Sequence, residues 1–147
     1  AGVPIEIMAR GICCLRPGVA GLSETITVRS IIGRFLEHGR IYVFANGGEF
    51  LSDKNIVMIS SADLMPRNLR SRVECFMQLE NPTIRKQVLH QIMVALLRDE
   101  KNAWYLQPDG SYVHPQTDET SFSCHEYFMS NPSLSGLGSL AATQDNG

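Results

Sequence analysis

The stretch IYVFANGG, residues 41–48, indicates the fold most clearly, because an apolar β-type run ends there in Asn-Gly-Gly. IYVFA (41–45) predicts a strand and NGG (46–48) predicts a turn, since Asn and Gly tolerate the backbone of tight turns. NIVMIS (55–60) predicts a second strand and leads into the polar loop SSADLMPRN (60–68). The carboxyl ends of strands are where α/β sheets usually place ligands, so this loop is a candidate site.

The flanking patterns predict further strands and two long helices. IEIMARGI (5–12) and VECFMQL (73–79) predict strands. A first helix is predicted from a set of apolar residues at helical spacing, with Gly39 as its stop: Val28, Ile31, Ile32, Phe35 and Leu36. Asn81-Pro82 predicts the start of the longest helix. Its predicted core face is Ile84, Val88, Leu89, Ile92, Met93, Leu96 and Leu97.

The order of elements predicts an α/β fold, namely a sandwich with a mixed sheet flanked by helices. A short helix is predicted at 122–129, and the Ser-, Asn- and Gly-rich residues after it predict a tail. We therefore expect one domain over 1–129 and a flexible tail over 130–147. The sequence opens within a predicted strand, and we expect it to be part of a longer protein.

Composition narrows the classes of function. Hydrophobic residues make up 44% of the chain and charged residues 19%, which is typical of a globular protein, and no apolar run approaches a membrane span. The formal net charge of −2 argues against a nucleic-acid binder. Four cysteines without a CxxC pair predict reduced, buried thiols and no metal site.

Arginine dominates the basic residues, and residues 1–72 carry nine basic against six acidic side chains. The planar guanidinium matches phosphate and carboxylate oxygens in pairs, so this half of the chain suits a phosphate ligand. An ordinary solvated surface with ion pairs is the alternative explanation.

His38-Gly39-Arg40 is the first candidate for catalysis. A histidine can exchange a proton near neutral pH, and Arg40 beside it can hold a phosphate oxygen. The predicted helix end would favour a charged imidazole, which suits a proton donor to a leaving group. A histidine that merely caps the preceding helix is the alternative.

Two further clusters are candidate anion sites. Ser60 and Ser61 are followed by Asp63, Arg67 and Asn68, which combine hydroxyls, an acid and a guanidinium at a strand end. Asp63 could instead form a helix cap or an Asx turn.

Arg10 forms the other cluster. It lies in an otherwise apolar predicted strand, where an arginine is costly unless it is paired or faces a ligand. Glu6 and Glu74 are the candidate structural partners.

Three blocks of the sequence resemble the last catalytic domain of bacterial polyphosphate kinases: ARGICCLRPG (9–18), VRSIIGRFLEHGRIYVFANGG (28–48) and MISSADLMPRNL (58–69). RVECF (72–76) and PTIRKQVLHQIM (82–93) fit the same family. The resemblance implies a phospholipase-D-like α/β fold. His38-Gly39-Arg40 then resembles that superfamily's HxK motif with Arg in place of Lys. The acid expected four positions later has no match at Phe44 or Ala45.

The resemblance also implies an activity. Polyphosphate kinases transfer the terminal phosphate of ATP reversibly to polyphosphate, use Mg²⁺, and pass through a phosphohistidine that belongs to a preceding domain. His38 would be the second catalytic histidine. Arg10, Arg40 and Arg67 would bind phosphate with Ser60, Ser61 and Asn68. We expect this chain alone to be inactive and to bind no metal.

The expected partners are ATP or ADP, polyphosphate and the preceding domains of the same polypeptide, in a homo-oligomer. The expected location is the cytoplasm, with peripheral membrane association left open. A phospholipase-D-like phosphodiesterase or nuclease subunit is the alternative enzyme. A pure polyphosphate- or nucleic-acid-binding module is the non-enzymatic alternative.

Overall fold

The computed structural model describes residues 2–131, which form seven strands, four α-helices and one π-helical segment. The strands are β1 Ile5–Met8, β2 Ile26–Ile31, β3 Ile41–Phe44, β4 Ile56–Ser60, β5 Phe76–Gln78, β6 Ala103–Leu106 and β7 Tyr112–Val113. The helices are α1 Pro66–Ser71, α2 Pro82–Gln87, α3 Val94–Arg98 and α4 Cys124–Ser130, and the π-helical segment is Val88–Met93. The predicted α/β class is confirmed.

The described chain divides into two compact units, and each contains its own sheet. The first unit comprises residues 2–37 and 95–131, and the second comprises residues 38–94. The predicted tail lies outside the described residues apart from its first two, Ser130 and Asn131. The expectation of one domain over 1–129 therefore stays a prediction.

The first unit contains a mixed sheet in the order β1-β2-β6-β7, in which β1 and β2 run parallel and the other pairs run antiparallel. Arg29, 8% exposed, lies near its centre on β2. Its side chain pairs with Glu6, and its Nη1 donates to the Leu97 carbonyl at 2.8 Å. Its guanidinium also stacks on Tyr105. A buried charge needs such partners, because an unpaired one is costly.

The second unit contains the antiparallel sheet β3-β4-β5. The predicted strands at 41–45 and 55–60 and the predicted turn at 46–48 are confirmed, with Gly47 in the left-handed backbone region at φ 72°. The hydrophobic cluster of this unit joins the sheet to the long helical region: Val57, Leu79 and Leu89, with Ile41, Val43, Leu51, Ile59 and Val88 against them.

The predicted long helix is confirmed in extent, and its predicted core face is confirmed in part. Asn81 caps it, because its side chain accepts from the backbone N–H groups of Thr83 and Ile84. Ile84 was predicted to lie in the core but is 47% exposed. Leu89 and Met93, which were predicted for the same face, are buried. The π-helical segment Val88–Met93 interrupts the α-helical period on which that face was based.

The predicted helix over residues 28–36 is wrong, because Ile26–Ile31 forms β2 and the following residues form an irregular segment. Ile32, Phe35 and Leu36 are exposed rather than core residues. A run of β-branched residues has a strand preference that outweighed the helical spacing. His38 consequently does not lie at a helix end, and the inferred helix-terminus effect on its charge does not apply.

Other local predictions also need correction. Arg10 follows β1 instead of lying within it, and it is exposed. The polar loop contains α1 from Pro66 onward, with Pro at its first position. Of the four free cysteines, Cys124 is buried whereas Cys14 and Cys75 are exposed.

Within residues 2–131, none of the helices has the length and apolar character that crossing a bilayer requires.

Leu89→Ala should test the hydrophobic cluster of the second unit. Leu89 is 2% exposed, so its truncation should cost ~2–5 kcal/mol of unfolding free energy. Ile84→Ala is the matched control on the same helical region, and we expect a loss below about 1 kcal/mol because that side chain is largely exposed. Urea denaturation measures both, and equal losses would contradict the assigned core.

Candidate functional site

Three charged residues of the second unit meet where β4 ends. Asp63 follows that strand, Arg40 precedes β3, and Arg67 lies in the first turn of α1. Arg40 Nε donates to Asp63 Oδ1 at 3.0 Å, and Arg67 Nη2 donates to Asp63 Oδ2 at 3.4 Å. One carboxylate therefore holds two guanidinium groups side by side. We call these three residues the arginine clamp.

His38 lies against the arginine clamp. Arg40 Nη1 is 3.0 Å from His38 Nδ1 and 3.4 Å from Nε2, and it also donates to the His38 carbonyl at 3.0 Å. A guanidinium only donates, so in these contacts the His38 ring is the acceptor. The expectation of a charged imidazole was based on a helix end, and His38 does not lie at one.

Asp63 does not cap α1, which was the alternative explanation of this residue. The N-cap position belongs to Met65, which makes no side-chain cap hydrogen bond. The carboxylate of Asp63 faces the arginines instead. The hydrogen bond from Arg40 is the main reason that the Asp63 pKa is lowered, and Arg67 adds to the effect.

A second carboxylate, that of Glu74, lies just before β5 and binds neutral donors. Asn68 Nδ2 donates to Glu74 Oε1 at 2.7 Å, and Ser61 Oγ donates to Glu74 Oε2. The pKa of Glu74 is lowered by the Ser61 hydrogen bond first and by the Asn68 hydrogen bond second. Asn68 Oδ1 in turn accepts from Arg67 Nε at 3.3 Å, which links the second carboxylate to the arginine clamp.

The hydroxyls of Ser60 and Ser61 join two segments of the backbone. Ser60 Oγ donates to the Cys75 carbonyl at 2.8 Å and accepts from the Ala62 N–H at 2.9 Å. Ser61 Oγ accepts from the Cys75 N–H at 3.0 Å. The expected contacts of both hydroxyls with phosphate stay predictions.

Tyr42 supports the same loop from β3. Its hydroxyl donates to the Ala62 carbonyl at 3.0 Å, so the backbone before Asp63 is held by the sheet. Burial raises the Tyr42 pKa, and the neighbouring Asp63 adds to that rise. The hydroxyl therefore stays protonated as a donor at neutral pH.

The second unit thus brings together six of the predicted site residues: His38, Arg40, Ser60, Ser61, Arg67 and Asn68. Arg10 belongs to the first unit, where its Nη1 donates to the Glu37 carbonyl at 3.0 Å. Neither acid considered as its partner pairs with it, because Glu6 binds Arg29 and Glu74 binds Ser61 and Asn68.

The sequence interpretation assigned no role in this cluster to Glu74 or Tyr42. A signal for Glu74 was available, because it is an acid within the apolar run VECFMQL (73–79), where an acid needs a partner. Tyr42 alternates with apolar residues in β3, and no sequence pattern distinguishes its hydroxyl contact from ordinary packing.

The acids of this cluster do not fit a metal ion. Asp63 is occupied by guanidinium groups and Glu74 by Ser61 and Asn68. Among residues 2–131 there is no group of three or more His, Cys, Asp or Glu side chains that could hold one. Two guanidiniums and an imidazole suit an anion instead, and phosphate oxygens match the guanidinium fork.

The chain is similar to known proteins over most of its length. A family model described as polyphosphate kinase C-terminal domain 2 matches residues 1–125. A polyphosphate kinase of Erythrobacter litoralis is 57% identical over 94% of this chain and 19% of the relative. A polyphosphate kinase of Synechocystis is 51% identical over 87% of this chain and 17% of the relative.

A solved structure agrees with these sequence relatives. The crystal structure of polyphosphate kinase from Porphyromonas gingivalis matches with a TM-score of 0.78 and 33% identity, over 89% of this chain and 19% of that one. The phospholipase-D-like α/β fold implied by the sequence resemblance is confirmed by this likeness. The chain spans about a fifth of the length of the relatives it matches.

The lowered pKa of Asp63 makes a prediction about acid stability. A carboxyl whose pKa is lower in the folded state stabilises the fold fully above its unfolded pKa, about 4, and loses that contribution as pH falls toward the folded pKa. The thermal unfolding temperature should therefore decrease as the pH is lowered below about 4. In Asp63→Asn this decrease should be smaller. Asp53→Asn is the control, because Asp53 is exposed and its Lys86 partner is 3.9 Å away. Identical pH profiles for Asp63→Asn and the unmodified chain would contradict the assignment.

Proposed function

Because the chain belongs to the polyphosphate kinase family, as the match over residues 1–125 shows, we propose that it forms the phosphate-binding part of a site that transfers the terminal phosphate of ATP reversibly to polyphosphate. The observation that carries this proposal is the arginine clamp with His38 against it. Phosphoryl transfer requires charge neutralisation and alignment more than covalent chemistry from the protein.

His38 acts in this proposal as a proton donor or electrostatic partner, and not as the group that becomes phosphorylated. Arg40 Nη1 lies 3.0 Å from His38 Nδ1, so the imidazole is held beside the guanidinium groups that would bind the phosphates. The phosphohistidine belongs to a preceding domain of the complete polypeptide. The isolated chain is then inactive, since it supplies half of the site.

Arg40 and Arg67 bind the phosphates that flank the transferring group. Arg10, which belongs to the first unit, stays a further predicted phosphate-binding residue. Arg67 is suited to bind phosphate because its side chain is 60% exposed and is at the same time held in place by hydrogen bonds at Nε and Nη2. Ser60, Ser61 and Asn68, predicted as further phosphate ligands, face internal partners, and their contribution is to fix the loop that carries Asp63 and Arg67.

Mg²⁺ accompanies ATP in the activity that the family implies, and its ligands would come from the rest of the polypeptide. The described acids of the cluster are already bound by arginine, serine and asparagine donors. The further expectations are a homo-oligomer, docking with the preceding domains, and a cytoplasmic location where ATP is available.

The phosphodiesterase alternative requires a nucleophilic histidine, whose attacking nitrogen must be unprotonated. Among the described contacts, the side-chain hydrogen-bond partner of the His38 ring is the guanidinium of Arg40 and not a carboxylate. The acid of the HxK pattern likewise has no match at Phe44 or Ala45. Both observations favour a supporting role for His38 over an attack on phosphorus.

His38→Ala in the complete polypeptide should lower the rate of polyphosphate synthesis by about 10²-fold or more, because a positioned acid contributes on that scale. Steady-state kinetics measures the rate, and the thermal midpoint checks the fold, which should survive because His38 is exposed. His90→Ala is the control, since His90 lies on the long helical region instead of in this cluster. Wild-type turnover by His38→Ala would exclude the proposed role.

Arg67→Ala in the complete polypeptide should weaken binding of long-chain polyphosphate by about tenfold and reduce its salt dependence, since one phosphate contact is lost. Fluorescence titration at several salt concentrations measures both quantities. Arg70→Ala is the matched control, because Arg70 is an exposed arginine of the same helix α1 outside the clamp. Equal salt slopes for the two variants would show that Arg67 does not contact phosphate.

A further inference from the structure

Glu74 has an unusual set of partners for a carboxylate in an arginine-rich region. Its described hydrogen bonds come from the neutral donors Ser61 and Asn68, whereas Asp63 takes the bonds from Arg40 and Arg67. Glu74 is only partly exposed, and it lies between α1 and β5. Glu74 makes none of its described hydrogen bonds to a guanidinium, so its hydrogen-bonded links to the site are the donors Ser61 and Asn68.

Asn68 transmits that effect because its amide has only one orientation that satisfies both neighbours. A carboxylate only accepts, so the Asn68 NH₂ group must face Glu74, where the distance is 2.7 Å. The amide oxygen must then face the Nε–H of Arg67, where the distance is 3.3 Å. Asn68 is 2% exposed, so water does not offer it alternative partners.

Arg67 is thereby held from two sides. Asn68 accepts from its Nε, and Asp63 accepts from its Nη2 at 3.4 Å. A largely exposed arginine otherwise samples many rotamers, and their loss opposes binding. A guanidinium that is already oriented binds phosphate with a smaller entropic cost.

We infer that Glu74 is a positioning residue for phosphate binding, which acts by fixing the Asn68 amide and through it the Arg67 guanidinium. This inference rests on the proposed function, in which Arg67 binds phosphate. It also assigns Ser61 and Asn68 to the support of the site, since both donate to Glu74. Glu74 itself contacts no phosphate.

A double-mutant cycle in the complete polypeptide tests the inference. Glu74→Ala and the conservative Glu74→Gln are made in the unmodified protein and in Arg67→Ala, and the dissociation constant for long-chain polyphosphate is measured. Glu74→Ala should weaken binding about tenfold in the unmodified protein, since it removes a charge-assisted hydrogen bond that orients the amide. Glu74→Gln, which keeps an acceptor oxygen for Asn68, should lose less.

In the Arg67→Ala background both changes at Glu74 should have no further effect, because the group that Glu74 positions is absent. Glu80→Gln is the control in both backgrounds, since Glu80 is an exposed acid near the end of β5. Thermal midpoints check folding. If Glu74→Ala does not fold, Glu74→Gln completes the cycle.

Equal weakening in both backgrounds would overturn the inference, because Glu74 would then act on the fold in general. The inference would also be overturned if polyphosphate binding were unchanged in the Glu74 variants but weakened in Arg67→Ala. That outcome would leave the proposed function intact. Unchanged binding in Arg67→Ala would remove the phosphate-binding role of Arg67 and the inference with it.

Discussion

The hydrogen bonds from Arg40 and Arg67 to the two oxygens of Asp63 are the constraint on which the candidate site depends. Two guanidiniums repel each other at short range, so they remain together only where a negative group lies between them. Asp63 is about a third exposed, and exposed ion pairs contribute little to stability because water and salt screen them. The main consequence of this arrangement is therefore geometric, because the guanidinium groups of Arg40 and Arg67 are held in an orientation that suits an anion.

The position of Asp63 follows in turn from the sheet of the second unit. Tyr42 on β3 holds the Ala62 carbonyl, and Ser60 at the end of β4 joins the Cys75 carbonyl to the Ala62 N–H. Two of these bonds involve the backbone of Ala62, the residue before Asp63. The polar loop is consequently an extension of the sheet, and rigid elements hold a binding group more accurately than a free loop does.

The sequence predicted the second unit better than the first. IYVFA, NGG and NIVMIS combine apolar β-type runs with a turn signal, and local chemistry alone decides such elements. The segment 26–31 failed because Val28, Arg29 and Ser30 are all buried, so β2 shows none of the alternation that identifies a half-exposed strand. A buried arginine in a strand was foreseen for Arg10 but occurs at Arg29, since the pairing with Glu6 and Leu97 depends on the tertiary structure.

The arginine at position 40 links the arrangement of Asp63 and His38 to the proposed phosphoryl transfer. A lysine ammonium is a compact point charge on a flexible stem, whereas a guanidinium presents several donors in a fixed plane. Arg40 uses Nε for Asp63 and Nη1 for the His38 ring and carbonyl at the same time. That fork holds the imidazole beside the guanidinium groups of the arginine clamp. In the proposed function this places His38 next to the phosphates that Arg40 and Arg67 would bind. The departure from the HxK pattern is therefore consistent with the proposal that the domain assists phosphoryl transfer and leaves the attack on phosphorus to another group.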